Sequence, residues 1–254
     1  MKDLRLITIT LAMMTFVACG PIQRTRQSED TPVRTPETEN LLINLKKVSA
    51  RGFMFGHHDD TNYGIGWEGD EGRSDVKSVC GDYPAVISFD LGHIELGDTM
   101  SLDKVPFTKI RKEILNQYKR GGMSSLSWHL RNPLTGGDSW DVSDTTVVKS
   151  ILPGGANHEK FTGWVSKVSA FINSLQTEEG VKVPVLFRPW HEHTGSWFWW
   201  GEKLCTPEEY KALWHITVDI LRNDGVDNAL YAYSPGSEPQ DTAQYLKRYP
   251  GDEL

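Results

Sequence analysis

Short apolar segments alternate with amphipathic segments along most of this chain, and that alternation limits the folds it can adopt. The apolar segments contain Phe53, Val86, Met123, Val185 and Leu230. Apolar residues recur at helical spacing within residues 40–49, 108–119, 159–176 and 206–225. Apolar strands that alternate with amphipathic helices are typical of a parallel sheet covered by helices. The pattern therefore predicts an α/β fold.

Polar or aromatic residues follow every predicted strand, and they help to choose between the two architectures that fit this alternation. These residues are His57, Asp90, His129, Glu192 and Ser234. A barrel gathers the carboxyl ends of its strands on one face, where such residues would form one site. An open doubly wound sheet is the alternative, but no glycine-rich phosphate loop follows the first strand. We therefore predict a (β/α)₈ TIM barrel, of which this chain holds about the first five strand–helix units.

The N-terminal residues have the features of an exported lipoprotein. Lys2 and Arg5 accompany a short apolar segment that is typical of a signal peptide and short for a membrane span. Residues 16–20 resemble a lipobox, which predicts removal of residues 1–18 and lipidation of Cys19; an ordinary signal peptide is the alternative. The polar, proline-containing residues 19–40 predict a flexible linker. We expect a lipid-anchored protein of the cell envelope, at the outer-membrane surface or facing the periplasm, with residues 41–254 as a partial catalytic barrel.

Charge and cysteine content narrow the range of partners. The formal net charge is −7, and an acidic protein lacks the attraction to phosphate that supports nucleic-acid binding, so we expect no nucleic-acid partner. The three cysteines have neither a disulfide framework nor zinc-site spacing. Cys80 and Cys205 could pair in an oxidising compartment, although nothing in their spacing requires it.

Residues 188–200 form the segment that carries most of the chemical information. Glu192 lies between His191 and His193, and Trp197 begins a run of four aromatic residues. Indole faces suit the apolar faces of a sugar ring. A glycosidase also needs a carboxyl group that can carry a proton near neutral pH, and apolar neighbours favour the protonated form. Burial in the core is the alternative for each aromatic residue, but no single period would bury all four.

A second candidate segment begins with Trp128 and His129 at the end of another predicted strand. It opens a long loop, residues 130–157, and long loops on this side of a barrel usually bind substrate. The alternative is a packing tryptophan and a hydrogen-bonded core histidine. A metal site is a further alternative, since barrel hydrolases often bind metals through histidines of several strands. Its ligands would be His57 or His58, His129, His191 and His193, but the tryptophans nearby suit a sugar better.

Three motifs together resemble the retaining endo-β-mannanases of glycoside hydrolase family twenty-six. They are the segment from Arg188 to Trp200, the Trp128-His129-x-x-Asn132-Pro133 motif, and the segment from Gly56 to Gly64. The resemblance implies a (β/α)₈ barrel that cleaves β-1,4-mannosidic bonds of mannan, galactomannan or glucomannan, without metal or cofactor. It implies that Glu192 is the general acid/base, that His191 orients the site, and that His129 and Trp197 contact the sugar. We add Trp128 to the expected substrate-binding residues.

The resemblance also implies a catalytic nucleophile that we do not expect to find in this chain. A retaining mechanism needs a second carboxylate about 5–5.5 Å from the first, as the nucleophile, and the resemblance places it after the seventh strand of the barrel. We expect that these 254 residues lack it. Two alternatives therefore stay open, a catalytically inactive carbohydrate-binding surface protein and a relative that acts on β-glucan or xylan.

Overall fold

A five-stranded parallel sheet forms the centre of the molecule. The computed structural model describes residues 34–237 and 241–254. The strands are β1 (Gly56–His58), β4 (Val86–Asp90), β5 (Met123–Ser127), β6 (Val185–Arg188) and β7 (Ala229–Tyr231). Their order in the sheet is their order in the chain, whereas a doubly wound sheet reverses its strand order at a switch point. The α/β class is confirmed, and the architecture is that of a partial (β/α) barrel.

Helices connect the strands and cover the sheet. They are α1 (Pro36–Ser49), α2 (Asp75–Cys80), α3 (Phe107–Lys119), α4 (Val147–Ile151), α5 (His158–Asn173), α6 (Pro207–Asn223) and α7 (Thr242–Leu246). A hairpin of β2 (Tyr63–Gly64) and β3 (Trp67–Glu68) and a 3-10 helix (Ile94–Leu96) complete the elements. Phe89, Leu126 and Phe187 of successive strands are fully buried in one continuous core. This core holds the strand ends in a fixed register beneath the site.

Helix α1 corrects one predicted boundary. It begins at Pro36, within the segment predicted as a linker, so that residues 36–40 are helical. Thr35 caps the helix by accepting a hydrogen bond from the Thr38 backbone N–H, and proline is well tolerated in a first helical turn. Thr38 is buried, and the Thr35 N–H donates to the Asp227 carbonyl. Pro36 is therefore a helix-start signal and not a linker residue. The predicted signal peptide and Cys19 lie outside the described residues.

Strand β1 lies further along the chain than predicted. The apolar segment around Phe53 was expected to form it, but Phe53 and Phe55 are 90% and 57% exposed. The strand instead covers Gly56–His58 and pairs in parallel with the start of β4. An added Cβ at Gly56 would lie 3.3 Å from the Val86 Cβ, so the close pairing of these two strands suits glycine. Pairing with β4, more than the apolar run, therefore decides where this strand forms.

The long loop after β5 is partly ordered by a helix of its own. Helix α4 lies within predicted loop residues 130–157, and its Val147, Val148 and Ile151 are fully buried. The two cysteines in the described region are both free, Cys80 exposed and Cys205 buried. No helix within residues 34–237 and 241–254 is long and apolar enough to cross a membrane.

Candidate active site

The carboxyl ends of three neighbouring strands bring the candidate residues together. Asp90 ends β4, His129 follows β5, and His191 follows β6. The parallel register aligns Asp90 with Ser127 across β4 and β5, and Ser127 with Arg188 across β5 and β6. The side chains beyond these positions therefore converge on one face, as expected for a barrel.

Asp90 is a buried carboxylate that forms a hydrogen bond with the ring of His129. Its Oδ2 atom lies 2.7 Å from His129 Nδ1 and accepts a 2.6 Å hydrogen bond from the Ser127 hydroxyl. Its Oδ1 atom accepts hydrogen bonds from the backbone N–H groups of Gly92 and His129. Burial raises the pKa of Asp90, but the hydrogen bonds and the charge of His129 outweigh it and hold this pKa well below its usual range.

His129 is also paired with His191. The two Nε2 atoms are 3.0 Å apart, so both ring nitrogens of His129 have partners within the protein. Burial, the positive charge of His129 and that of Arg188 lower the pKa of His191 to about 3. His191 is therefore neutral over most of the pH range. It is almost fully buried, so it supports His129 from within the protein, which suits the predicted role of orienting the site better than direct contact with substrate.

A strained segment presents Glu192. Trp190 and Glu192 have φ values of 54° and 55°, a left-handed conformation that costs non-glycine residues of the order of 1–2 kcal/mol each. Three hydrogen bonds hold this backbone: the Tyr210 hydroxyl donates to the Trp190 carbonyl, Trp200 Nε1 to the His191 carbonyl, and the Glu192 N–H to the Ser234 carbonyl. Such strain persists only where the surroundings fix the backbone, as they do here.

Glu192 and Trp197 lie side by side, as the sequence predicts. Glu192 is partly exposed, and the indole Nε1 of Trp197 donates a 3.1 Å hydrogen bond to its Oε2. Trp197 is 40% exposed, so part of its ring is open to a ligand beside the carboxylate. An accessible carboxyl group is one of the two that a glycosidase site requires, and the accessible indole beside it offers an apolar face to a ligand.

The other tryptophans of the predicted cluster are core residues. Trp199 and Trp200 are fully buried and pack against Trp190 at centroid distances of 5.5 and 5.6 Å. The prediction of Trp128 as a substrate-binding residue is also wrong in this structure. Its side chain is 0% exposed, packs against Trp190, and donates from Nε1 to Glu95. The periodicity of residues 197–200 could not reveal this burial, because tertiary packing encloses them from several sides.

The histidine metal site considered from the sequence is not assembled. His193 is buried between the rings of Tyr210 and Tyr233, each 4.6 Å away, and so cannot join His129 and His191 around an ion. Within the described parts of the chain, one group has the spacing for a metal ion, His58, Asp59 and Asp103. It shares only His58 with the set considered from the sequence.

The family follows from this arrangement and from comparison with known proteins. A sequence profile of glycosyl hydrolase family 26 matches residues 31–254, a range that includes all the strand ends just described. The chain belongs to glycosyl hydrolase family 26. The four similar proteins described next are named as mannanases or mannosidases, and all four are longer than this chain.

Two relatives and two solved structures illustrate the family 26 similarity. A mannan endo-1,4-β-mannosidase of Bifidobacterium adolescentis is 37% identical over 226 residues, 86% of this chain and 22% of that protein. One from Bacillus subtilis is 26% identical over 85% of this chain and 60% of that protein. A family 26 β-mannanase of Bacteroides ovatus matches with a TM-score of 0.85 and 64% identity, over 87% of this chain and 64% of that chain. A double mutant of the Cellulomonas fimi endo-β-1,4-mannanase matches with a TM-score of 0.80 and 34% identity, over 87% and 51%.

The family 26 site also contains residues that the sequence analysis did not select. Trp140, in the loop after β5, is 49% exposed and stacks on His129 with the rings 9° from parallel. Arg188, at the end of β6, is close enough to Glu192 and Asp90 to interact with the charge of both. Asp90 was noted as a strand-end residue but given no role. Their positions in the sequence could have identified these residues as site candidates, since each lies at a strand end or in the predicted substrate loop.

Proposed function

We propose that this chain is the N-terminal part of a retaining endo-β-1,4-mannanase whose general acid/base is Glu192. The observation that carries the proposal is the pairing of Glu192 with Trp197 at the carboxyl end of β6, in a family 26 chain. The mannanase names of the relatives support the choice of substrate.

In this proposal Glu192 moves the proton in both halves of the reaction. It donates a proton to the glycosidic oxygen as the bond to the leaving sugar breaks, and later removes a proton from the water that releases the glycosyl-enzyme intermediate. The hydrogen bond from Trp197 fixes the rotamer of the carboxyl group. The backbone hydrogen bond to Ser234 fixes its position. Both reduce the entropy lost when the transition state forms.

The exposed aromatic rings of the site would bind the sugar. Trp197 and Trp140 both have accessible faces, and His129 lies between Trp140 and His191. Aromatic faces bind the apolar C–H faces of sugar rings, and their position beside a carboxyl group favours a chain of linked sugars over a single monosaccharide. We infer that Trp140 shares in substrate binding with His129 and Trp197.

The nucleophile belongs to the part of the barrel that the five strands leave open. Strands β1 and β7 are the two edges of the sheet, and a closed barrel has no edges. We infer that the remaining strand–helix units, and with them the second carboxylate, lie outside these 254 residues. We call this chain together with those units the complete enzyme.

The experiment that tests the function is a hydrolysis panel on the complete enzyme. We expect release of reducing ends from mannan and from glucomannan, with much slower release from lichenan and xylan, and internal cleavage that lowers viscosity early. Retardation by mannan in affinity electrophoresis without hydrolysis would instead identify a binding-only surface protein. Faster hydrolysis of lichenan or xylan than of mannan would move the substrate to β-glucan or xylan.

We also propose that Cys19 carries a lipid that anchors the enzyme to the cell envelope. The motif at residues 16–20 and the basic, apolar residues before it support this. Incorporation of a labelled fatty acid into the wild-type protein, and its loss in Cys19→Ser, is the expected result. Equal labelling of both proteins would refute the assignment.

A further inference from the structure

Four hydrogen-bonding groups converge on the Asp90 carboxylate. Two of them, the backbone N–H groups of Gly92 and His129, are obligatory donors, and both bind Oδ1. The Ser127 hydroxyl and His129 Nδ1 bind Oδ2. Asp90 is almost fully buried, so water is not available to replace any of these partners. A buried ionised carboxylate only accepts hydrogen bonds, and His129 therefore has to present a proton on Nδ1.

The proton on Nδ1 decides what His129 offers on its other side. In its neutral form His129 carries one proton on its ring, so that its Nε2 atom is left as an acceptor. It faces His191 Nε2 at 3.0 Å, and a hydrogen bond across this distance needs the proton on His191 Nε2. Nδ1 of His191 is then the unprotonated nitrogen of that ring. It is buried, and no atom lies in full hydrogen-bonding geometry to it, although the Arg188 backbone also interacts with the ring. A buried nitrogen without a partner is less costly as an acceptor than as a donor.

We propose that Asp90 is a positioning residue for Glu192, which it controls by fixing the tautomers of His129 and His191. The order of donation is His191 Nε2–H to His129 Nε2, and His129 Nδ1–H to Asp90. His191 immediately precedes Glu192, and its carbonyl is held by Trp200, so the ring and the backbone of His191 are both fixed. The inference rests on the proposed role of Glu192, but the tautomers can be measured without any turnover.

Replacement of Asp90 by asparagine is the informative change because it preserves shape. The two backbone donors on Oδ1 require the amide oxygen at that position, which leaves the NH₂ group facing His129 Nδ1. Two donors cannot bond to each other, so His129 has to move its proton to Nε2. His191 must then accept at Nε2 and carry its own proton on Nδ1. An equivalent aspartate-to-asparagine change in the serine protease triad acts through the wrong tautomer in this way.

The direct test is nitrogen-15 NMR of the histidine rings in the folded chain at mildly alkaline pH. In the wild type we expect a protonated Nδ1 and a bare Nε2 for His129, and the reverse for His191. In Asp90→Asn we expect both patterns to invert. Asp75→Asn is the control, because Asp75 is likewise an aspartate that accepts hydrogen bonds from the backbone and from a side chain, those of Ile65 and Trp67, but away from the site. The His129 and His191 signals of this variant should match the wild type.

Two results would overturn the proposal. One is a wild-type protein in which His129 has no proton on Nδ1 or carries protons on both ring nitrogens. This measurement needs no variant, so it tests the proposal even if Asp90→Asn fails to fold. The other is a folded Asp90→Asn protein with unchanged tautomers. In the complete enzyme we expect Asp90→Asn to lower kcat by more than about 10-fold, with little change in KM, because a wrong histidine tautomer also lowers kcat in the serine protease triad. Absence of mannanase activity in the wild type would refute the proposed function and leave the NMR test intact.

Discussion

Gly195 shows how closely the residues around Glu192 are packed. An added Cβ at this position would overlap the ring of Trp197, the same indole that donates to Glu192. The glycine therefore makes room for the indole to lie against the backbone with its N–H directed at the carboxylate. The geometry of the site therefore depends on the absence of a side chain at Gly195 as much as on the side chains that are present.

Replacement of Gly195 by alanine should disconnect Trp197 from Glu192. Because Trp197 is partly exposed, we expect it to turn outward, with little loss of stability. Loss of one hydrogen bond to a charged group should lower kcat/KM on mannan by roughly 10- to 100-fold in the complete enzyme. Gly163→Ala is the matched control, since no atom lies within 4 Å of its added Cβ in helix α5. It should keep full activity and raise stability by about 0.5–1 kcal/mol; equal activity of the two variants would contradict this account of Gly195.

Helix α6 and the segment after β7 enclose the side chain of His193. Its ring lies between Tyr210 and Tyr233, and neither ring nitrogen has a hydrogen-bond partner among the described residues. Burial and the charge of Arg248 lower the pKa of His193 to about 3. The same helix supports the site, because the Tyr210 hydroxyl binds the Trp190 carbonyl. Tyr210 therefore contacts both the buried ring of His193 and the backbone that positions Glu192.

The buried histidines predict a stability that falls with acidification. In the unfolded chain a histidine binds its proton near pH 6.5, whereas folded His191 and His193 do so only near pH 3. Between these values the unfolded state binds more protons, so each histidine lowers the free energy of unfolding by about 1.4 kcal/mol per pH unit as pH falls. His193→Phe keeps an aromatic ring and removes one titration. Urea unfolding at several pH values between 6.5 and 4 should therefore show a shallower decline for the variant; parallel declines would contradict the burial argument.

The elements also show what could be predicted from the sequence. Helices α3, α5 and α6 and strands β4 to β7 have strong periodicity or continuous apolar runs, and they lie within a few residues of the predicted positions. Strand β1 and the start of α1 were misplaced because local composition decided the prediction, whereas pairing with β4 and the cap at Thr35 decide the structure. The adjacency of Glu192 and Trp197 was predictable from a five-residue separation at a strand end. The burial of Trp128, Trp199 and Trp200 was not, because it depends on which helices cover them.

The order of the strands in the sheet explains why one face of the described fold carries the candidate site. Sequential parallel strands direct Asp90, His129 and Glu192 to the same side, and the buried tryptophans beneath them form part of one core. The site is therefore supported by the fold. This chain spans only 22% to 64% of the length of the four similar proteins described above. Its activity is a property that we propose for the complete enzyme.

The most direct test of the proposed role of Glu192 is the dependence of Glu192→Ala on the leaving group. A general acid is needed only when the leaving oxygen requires a proton, so the complete Glu192→Ala enzyme should lose about 10²–10⁴-fold in kcat/KM on mannan. It should lose far less in the first step on a dinitrophenyl β-mannobioside, whose phenolate leaves without protonation. Glu202→Gln, an exposed carboxylate in the same loop, should match the wild type on both substrates. Equal losses on the two substrates, or near-wild-type turnover of mannan by Glu192→Ala, would show that Glu192 is not the acid/base.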